Sequence, residues 1–230
     1  MTLSVGIDLA QARDRTAIAA VSSYFADGEE IDDDTPRRRK RRAKHHSLIR
    51  LDMLRAGLSY PAQVELIVEI AASLDSDEKP TLYVDATGVG RAVVDLIRAA
   101  SPFPVKAITF TSAAEVVRHG QNISVPKTEL ISSLEIALST RRLHAVADLP
   151  LAKDLDRELR AFSYELSATG RPQYEGKGQH DDLVIALALG VWGGERGGGL
   201  ANFRQFMAGE IEKNKARGHI IEPRPGEEQL

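Results

Sequence analysis

Alternating hydrophobic and polar residues predict three β-strands in the first quarter of the chain. In the first of them, residues 4–9, the hydrophobic side chains fall on one face and the polar ones, Asp8 among them, fall on the other. Residues 16–24 and 46–54 are also rich in strand-forming residues, and they are joined by a long charged segment. The pattern predicts an antiparallel three-stranded meander with a long hairpin tip.

From residue 61 onward the hydrophobic period lengthens to three or four positions, which is typical of amphipathic helices. Helices are predicted to begin near Pro61, Val89, Pro126, Leu151 and Asp181. Shorter apolar runs predict strands at 81–85 and 105–110, and a hairpin at 162–166 and 172–175. A meander followed by strand–helix units predicts an α/β fold, with a mixed β-sheet of antiparallel and parallel strands flanked by helices.

The 230 residues fit one domain of generous size and a tail. We expect a domain at 1–193 that includes a charged loop at 26–45. Glycines after Trp192 predict a flexible linker, so that residues 194–230 form a loose C-terminal tail.

Composition narrows the cellular setting. The chain has no cysteine, which excludes disulfides and thiolate zinc sites. The longest apolar run, Leu183–Trp192, is about half of the ~20 residues that a membrane span requires. The first strand begins almost at once, which leaves no room for a signal peptide. We therefore expect a cytoplasmic protein that does not enter a membrane.

The net charge of -3 hides a strong segregation of charge. An acidic block at 29–34 is followed directly by a basic one. The basic residues are Arg37, Arg38, Arg39, Lys40, Arg41 and Arg42. Two interpretations remain open: a solvated, self-neutralising loop, or an arm attracted to nucleic-acid phosphates.

Three acidic points carry the candidate chemistry. Asp8 lies on the predicted first strand, Asp85 ends the strand at 81–85, and Asp181 and Asp182 open the last helix. Burying an ionised carboxylate without a partner costs several kcal/mol, roughly, so carboxylates that converge require a cation. The three points predict one shared site for divalent metal ions. Alone, Asp85 would be interpreted as the cap of the turn that follows it.

These motifs resemble the ribonuclease H-like nucleases, and more narrowly the nuclease domain of the large terminase subunit of tailed bacteriophages. The residues that carry the resemblance are Gly6-Ile7-Asp8-Leu9-Ala10, Val84-Asp85-Ala86-Thr87-Gly88-Val89-Gly90, Val125-Pro126-Lys127-Thr128-Glu129-Leu130 and Gly178-Gln179-His180-Asp181-Asp182-Leu183 with the apolar run after it. The resemblance covers roughly residues 4–193, the span of a single domain.

The resemblance implies an endonuclease that cuts double-stranded DNA with two Mg²⁺ or Mn²⁺ ions about 3.5–4 Å apart. Asp8 would bind both ions, with Asp85 on one side and Asp182 on the other. The wider family often has a further carboxylate one turn on, where this chain has Ile185. The second metal site would then be weaker, or would be filled by Asp181 or His180.

Further DNA contacts are predicted at Lys127, Arg171 and Lys177, beside the basic block. No Gly-x-x-x-x-Gly-Lys-Ser/Thr loop occurs in the sequence. The resemblance therefore implies a packaging ATPase in trans or in a missing part, with a small terminase subunit and a portal protein as further partners. The setting would be the cytoplasm of an infected or lysogenic host cell.

Two alternatives remain open. A Holliday-junction-type resolvase would share the fold and the metals but act on branched DNA. A non-catalytic module on the same fold would bind DNA or the portal protein through its basic loop and tail.

Overall fold

A computed structural model describes residues 1–9, 15–27, 42–74, 78–88, 90–168 and 181–197. The strands of this part are β1 (Thr2–Asp8), β2 (Ala17–Asp27), β3 (Arg42–Met53), β4 (Pro80–Asp85), β5 (Val105–Thr111), β6 (Val117–His119), β7 (Asn122–Pro126) and β8 (Leu143–Ala145). The helices are α1 (Tyr60–Ser73), α2 (Gly90–Ala100), α3 (Lys127–Ser139), α4 (Ala152–Ala168) and α5 (Asp182–Gly197). No helix in the described ranges is long and apolar enough to cross a bilayer.

The strands form one mixed sheet in the order β6-β7-β5-β4-β1-β2-β3-β8. Strands β1, β2 and β3 are the predicted antiparallel meander, and β4, β5 and β7 continue from β1 as parallel strands. The predicted α/β class, with a mixed sheet of antiparallel and parallel strands flanked by helices, is confirmed. Because β1, β4, β5 and β7 are parallel, their carboxyl ends lie along the same edge of the sheet.

Two hydrophobic cores cover the two faces of the sheet. One packs α1 and α2 against a face that includes Val5, Ile7 and Leu82. The other packs α3, α4 and α5 against the opposite face, where Tyr83 and Val21 lie. β1 is central, and its polar face is buried as well: Ser4 is 2% exposed because α5 covers it. Asp8 belongs to the face that α5 covers.

Several predicted boundaries were wrong. Strands β2 and β3 extend to Asp27 and from Arg42, so the charged segment between them is shorter than the predicted loop at 26–45. Residues 162–166 belong to α4 rather than to a hairpin strand. The β6–β7 hairpin and β8 were not predicted.

Helix α5 also runs past the predicted end of the domain. It continues through Gly193 and Gly194 to Gly197. These two glycines lie where the helix meets Tyr83 and Ser23, and a Cβ atom at either position would collide with those side chains. Met1–Gly197 form one compact unit. The predicted tail from residue 198 onward and the second half of the predicted hairpin, 172–175, lie outside the described residues.

Candidate active site

The register between β1 and β4 brings two carboxylates to the same edge. Gly6 pairs with Tyr83 and Ile7 with Val84, so the next position places Asp8 beside Asp85. Both residues end their strands and face α5. The predicted convergence of these two aspartates is therefore found.

Gly6 brings the third acidic point to the same place. A Cβ atom at Gly6 would collide with the carbonyl oxygen of Ala186 and the amide nitrogen of Gly190, so α5 packs main chain to main chain against β1. Asp182 lies one helical turn before Ala186, and Asp8 lies two residues after Gly6. The close contact therefore sets the first turn of α5 beside the end of β1.

The pKa of Asp8 is shifted by burial and by the neighbouring carboxylates. It is raised well above its ordinary value, first by burial, then by the negative charges of Asp85, Asp182 and Asp181, with Lys127 opposing the shift. Asp8 nevertheless keeps some exposed surface. A carboxylate in this position is poorly solvated, repelled by its neighbours and accessible, which is the environment that a bound cation would relieve.

Asp85 serves two purposes. Its Oδ1 accepts a hydrogen bond from the backbone N–H of Thr87 at 2.8 Å, so it does cap the turn that follows β4. Burial raises the pKa of Asp85 all the same, although the hydrogen bonds from Thr87 and the charge of Lys127 act against the shift. The capping interpretation and the site interpretation are thus compatible, since a carboxylate oxygen accepts more than one bond.

Lys127 is the first residue of α3 and follows directly after β7. Its positive charge acts on both Asp8 and Asp85, so it stands at the same edge of the sheet. The sequence predicted Lys127 as a DNA contact without predicting its closeness to the carboxylates.

Glu158 is a site residue that the sequence did not reveal. It lies on α4, and its Oε2 accepts hydrogen bonds from the backbone N–H groups of Leu183 at 2.9 Å and Val184 at 3.3 Å. Burial raises the pKa of Glu158 to about 7, with Asp182 and Asp181 adding to the rise and the two N–H bonds opposing it. A glutamate in the middle of an amphipathic helix carries no local signal of this long-range contact.

The donor set suits a hard divalent cation, because every group that surrounds Asp8 with negative charge is a carboxylate. Among the described residues, however, no three histidine, aspartate or glutamate side chains stand close enough together to hold one ion as they are. The carboxylates therefore share an electrostatic environment without forming a closed coordination sphere.

Other predicted site residues cannot be compared. His180, Arg171, Lys177 and the basic residues 37–41 lie outside the described residues, and Arg42 begins β3 with its side chain undescribed. Their predicted roles stay predictions.

The opposite end of α5 contains a hydrogen-bonded chain. Ser23 Oγ lies 2.8 Å from His46 Nδ1, and His46 Nε2 lies 3.1 Å from Glu195 Oε1, which also accepts from Arg142 Nη1 at 2.9 Å. A serine, a histidine and a carboxylate in this order resemble a hydrolase triad. Ser23 is 1% exposed and His46 is fully buried, so no substrate reaches the hydroxyl. These hydrogen bonds hold the C-terminal end of α5 against the sheet.

The solved structures to which the chain is similar are viral nucleases. No family model matches the chain, and no curated protein does. Among solved structures, it is similar to the large terminase nuclease from thermophilic phage G20c (19% identity, 82% of this chain and 80% of that one, TM-score 0.48). It is also similar to the human cytomegalovirus terminase nuclease domain (11% identity, 84% and 83%, TM-score 0.47). A Mn-soaked, inhibitor-bound structure of that domain gives 13% identity, 83% and 81%, and TM-score 0.47. These are proteins of the class that the sequence motifs resemble.

Proposed function

We propose that the protein is a metal-dependent endonuclease that cleaves double-stranded DNA, as the nuclease part of a viral DNA-packaging terminase. The observation that carries the proposal is the poorly solvated carboxylate of Asp8, surrounded by the negative charges of Asp85, Asp181 and Asp182. Such an arrangement lowers the stability of the protein until a cation binds. Strain of this kind is characteristic of sites kept for function.

The carboxylates have distinct roles in the proposal. The charges of the other acidic points all act on Asp8, which would bind two Mg²⁺ or Mn²⁺ ions, with Asp85 on one side and Asp182 on the other. Asp181 would complete the second ion's ligands. When bound, such ions supply an activated water and stabilise the leaving oxygen of the phosphodiester. Small side-chain rotations would close the ligand shell.

Lys127 would orient the DNA. Its ammonium group stands at the edge where the carboxylates meet, so it would contact a phosphate beside the scissile bond. The basic residues 37–42, Arg171 and Lys177 would add sequence-independent phosphate contacts. Packaging would require an ATPase, a small terminase subunit and a portal protein as partners, in the cytoplasm of the host cell.

The test is cleavage of supercoiled plasmid DNA by the purified chain with Mg²⁺, with Mn²⁺, or with EDTA. We expect nicked and linear products with either ion and none with EDTA. Asp8→Asn should abolish them. Asp95→Asn is the matched control, because the Asp95 side chain is 66% exposed and pairs with Arg98 on the same helix.

Three results would count against the proposal. If folded Asp8→Asn cuts as well as wild type, the carboxylates are not catalytic. If neither protein cuts but both bind DNA, the chain is a binding module. A strong preference for four-way junctions over linear duplex, with a stable dimer, would favour a resolvase.

A further inference from the structure

The start of α5 departs from the usual way in which an aspartate caps a helix. The carbonyl oxygen of Asp181 accepts the hydrogen bond from Ile185 N–H at 2.9 Å, so Asp181 occupies the N-cap position. At that position an aspartate side chain normally accepts a hydrogen bond from the backbone N–H two or three residues on. Here those groups belong to Leu183 and Val184.

Glu158 has taken that role. Its Oε2 accepts both N–H groups, at 2.9 Å and 3.3 Å, from a different helix. The Asp181 carboxylate is therefore not needed for the cap, and its charge acts on Asp8 instead. One carboxylate satisfies the helix end while another faces the site.

We propose that Glu158 is a positioning residue: by capping α5 in place of Asp181, it leaves the Asp181 carboxylate beside Asp8 as a ligand for the second metal ion. This inference rests on the proposed function. It also offers a replacement for the carboxylate that the wider family has where this chain has Ile185. Without Glu158, the Asp181 side chain would rotate back to the unsatisfied N–H groups of its own helix, since they are its nearest strong donors.

The test measures Mn²⁺ binding by calorimetry, independently of cleavage. In Glu158→Ala, affinity for the weaker ion should fall by about tenfold or more, the usual range for residues that orient a metal ligand. Glu158→Gln should bind Mn²⁺ close to wild type, because the amide oxygen still accepts both N–H groups. Glu135→Ala, an exposed glutamate on α3, is the matched control and should bind as wild type does.

A double-variant cycle tests whether Glu158 acts through Asp181. Asp181→Ala should weaken Mn²⁺ binding about as much as Glu158→Ala, and combining the two should weaken it no further. Losses that multiply would mean that the two residues act independently. If Glu158→Ala fails to fold, Glu158→Asp gives the same test, because it keeps the charge and shortens the reach.

Other outcomes overturn the inference in distinguishable ways. If Glu158→Gln loses as much affinity as Glu158→Ala, Glu158 is itself a ligand. If Glu158→Ala is less stable yet binds Mn²⁺ normally, it is a helix cap and nothing more. In both cases Asp8→Asn still abolishes binding, so the proposed function survives. If wild type and Asp8→Asn both fail to bind Mn²⁺, the proposed function and this inference fall together.

Discussion

A glutamate lies at each end of α5, and the two glutamates lie in opposite electrostatic environments. At the C-terminal end, Glu195 is hydrogen-bonded to His46 and Arg142, which together lower its pKa to about 2 against the opposing effect of burial. At the N-terminal end, burial raises the pKa of Glu158 to about 7, the charges of Asp182 and Asp181 add to the rise, and the two N–H bonds that Glu158 accepts oppose it. The same residue type is held as a stable anion at one end and disfavoured as an anion at the other.

Hydrogen-bond donors also contact the backbone carbonyl groups at the C-terminal end of α5. Lys44 Nζ donates to the carbonyl oxygens of Gly194 at 2.6 Å and Glu195 at 3.2 Å, which satisfies carbonyl groups that a helix end leaves unpaired. Positive charge is favourable there because the helix dipole is negative. One end of α5 thus serves stability, and the other carries the proposed metal site. Changes at the two ends should separate activity from stability.

The largest expected difference is in cleavage. Asp182→Asn should lose at least about 10³-fold in rate, because a metal ligand supplies several kcal/mol of transition-state stabilisation and each ~1.4 kcal/mol is tenfold. Glu195→Gln, at the other end of the same helix, should cleave at the wild-type rate while it remains folded. Initial rates of plasmid nicking measure both. Equal losses would show that the two ends are not functionally distinct.

The next effect concerns the middle of α5, where the helix packs against Gly6 of β1. Gly6→Ala should destabilise the protein by about 3 kcal/mol, the upper part of the usual overpacking range, because the new methyl meets main chain that cannot rotate away. Urea unfolding measures it. Gly120→Ala is the control: open space surrounds Gly120, and an alanine at its positive φ of 62° costs only about 1–2 kcal/mol. Equal effects would mean that α5 does not pack tightly on β1.

A third effect is confined to the C-terminal end. Glu195→Ala should cost about 1–3 kcal/mol, because His46 and Arg142 lose their buried acceptor. The sign of the pH dependence follows from the lowered pKa. Stability from Glu195 is fully present above its ordinary value of 4.5 and is lost as the pH falls towards about 2. The titratable groups that face it are His46, Arg142 and Lys44.

The measurement is the difference in unfolding free energy between wild type and Glu195→Ala from pH 6 down to pH 2, in steps of about one unit, which spans both pKa values. It should be constant in the upper part of this range and shrink in the lower part. A difference that stays constant throughout would contradict the lowered pKa.

The smallest expected effect has the opposite sign. In EDTA, Asp8→Asn should stabilise the protein by about 0.5–2 kcal/mol, the range common when a strained functional site is relieved. Mn²⁺ should then raise the melting temperature of wild type and not that of the variant. Thermal unfolding with and without Mn²⁺ checks both. A destabilised Asp8→Asn in EDTA would mean that the carboxylate is well paired without metal.

The sequence predicted the elements whose patterns are local. The strand around Asp8, the strand ending at Asp85 and the start of the apolar helix after Asp182 are found where predicted, because alternation in β1 and continuous apolar runs in β4 and α5 are patterns within each segment. The short strands β6 and β8 were missed. Each has three residues. β6 is exposed along its whole length and pairs with the neighbouring β7, whereas pairing with the distant β3 defines β8.

The residues of the candidate site also fall into those that the sequence predicted and those that it did not. The aspartates were predictable because each sits at the end of an element with a clear pattern. Glu158 was not, since its role depends on α4 lying against the first turn of α5, a contact between residues 25 apart. The end of α5 was placed too early for a related reason: Gly193 and Gly194 indicated a linker, but each allows a helix to approach a specific side chain.

The contact at Gly6 has a consequence for how this protein tolerates sequence change. Backbone atoms of β1 and α5 pack closely there, so the separation of Asp8 from Asp182 depends on a main-chain contact rather than on the size of intervening side chains. Substitutions among the surrounding leucines, valines and isoleucines can alter how well the interior is filled without moving these carboxylates apart. Glycine at position 6 therefore keeps the spacing of these carboxylates independent of substitutions elsewhere in the chain.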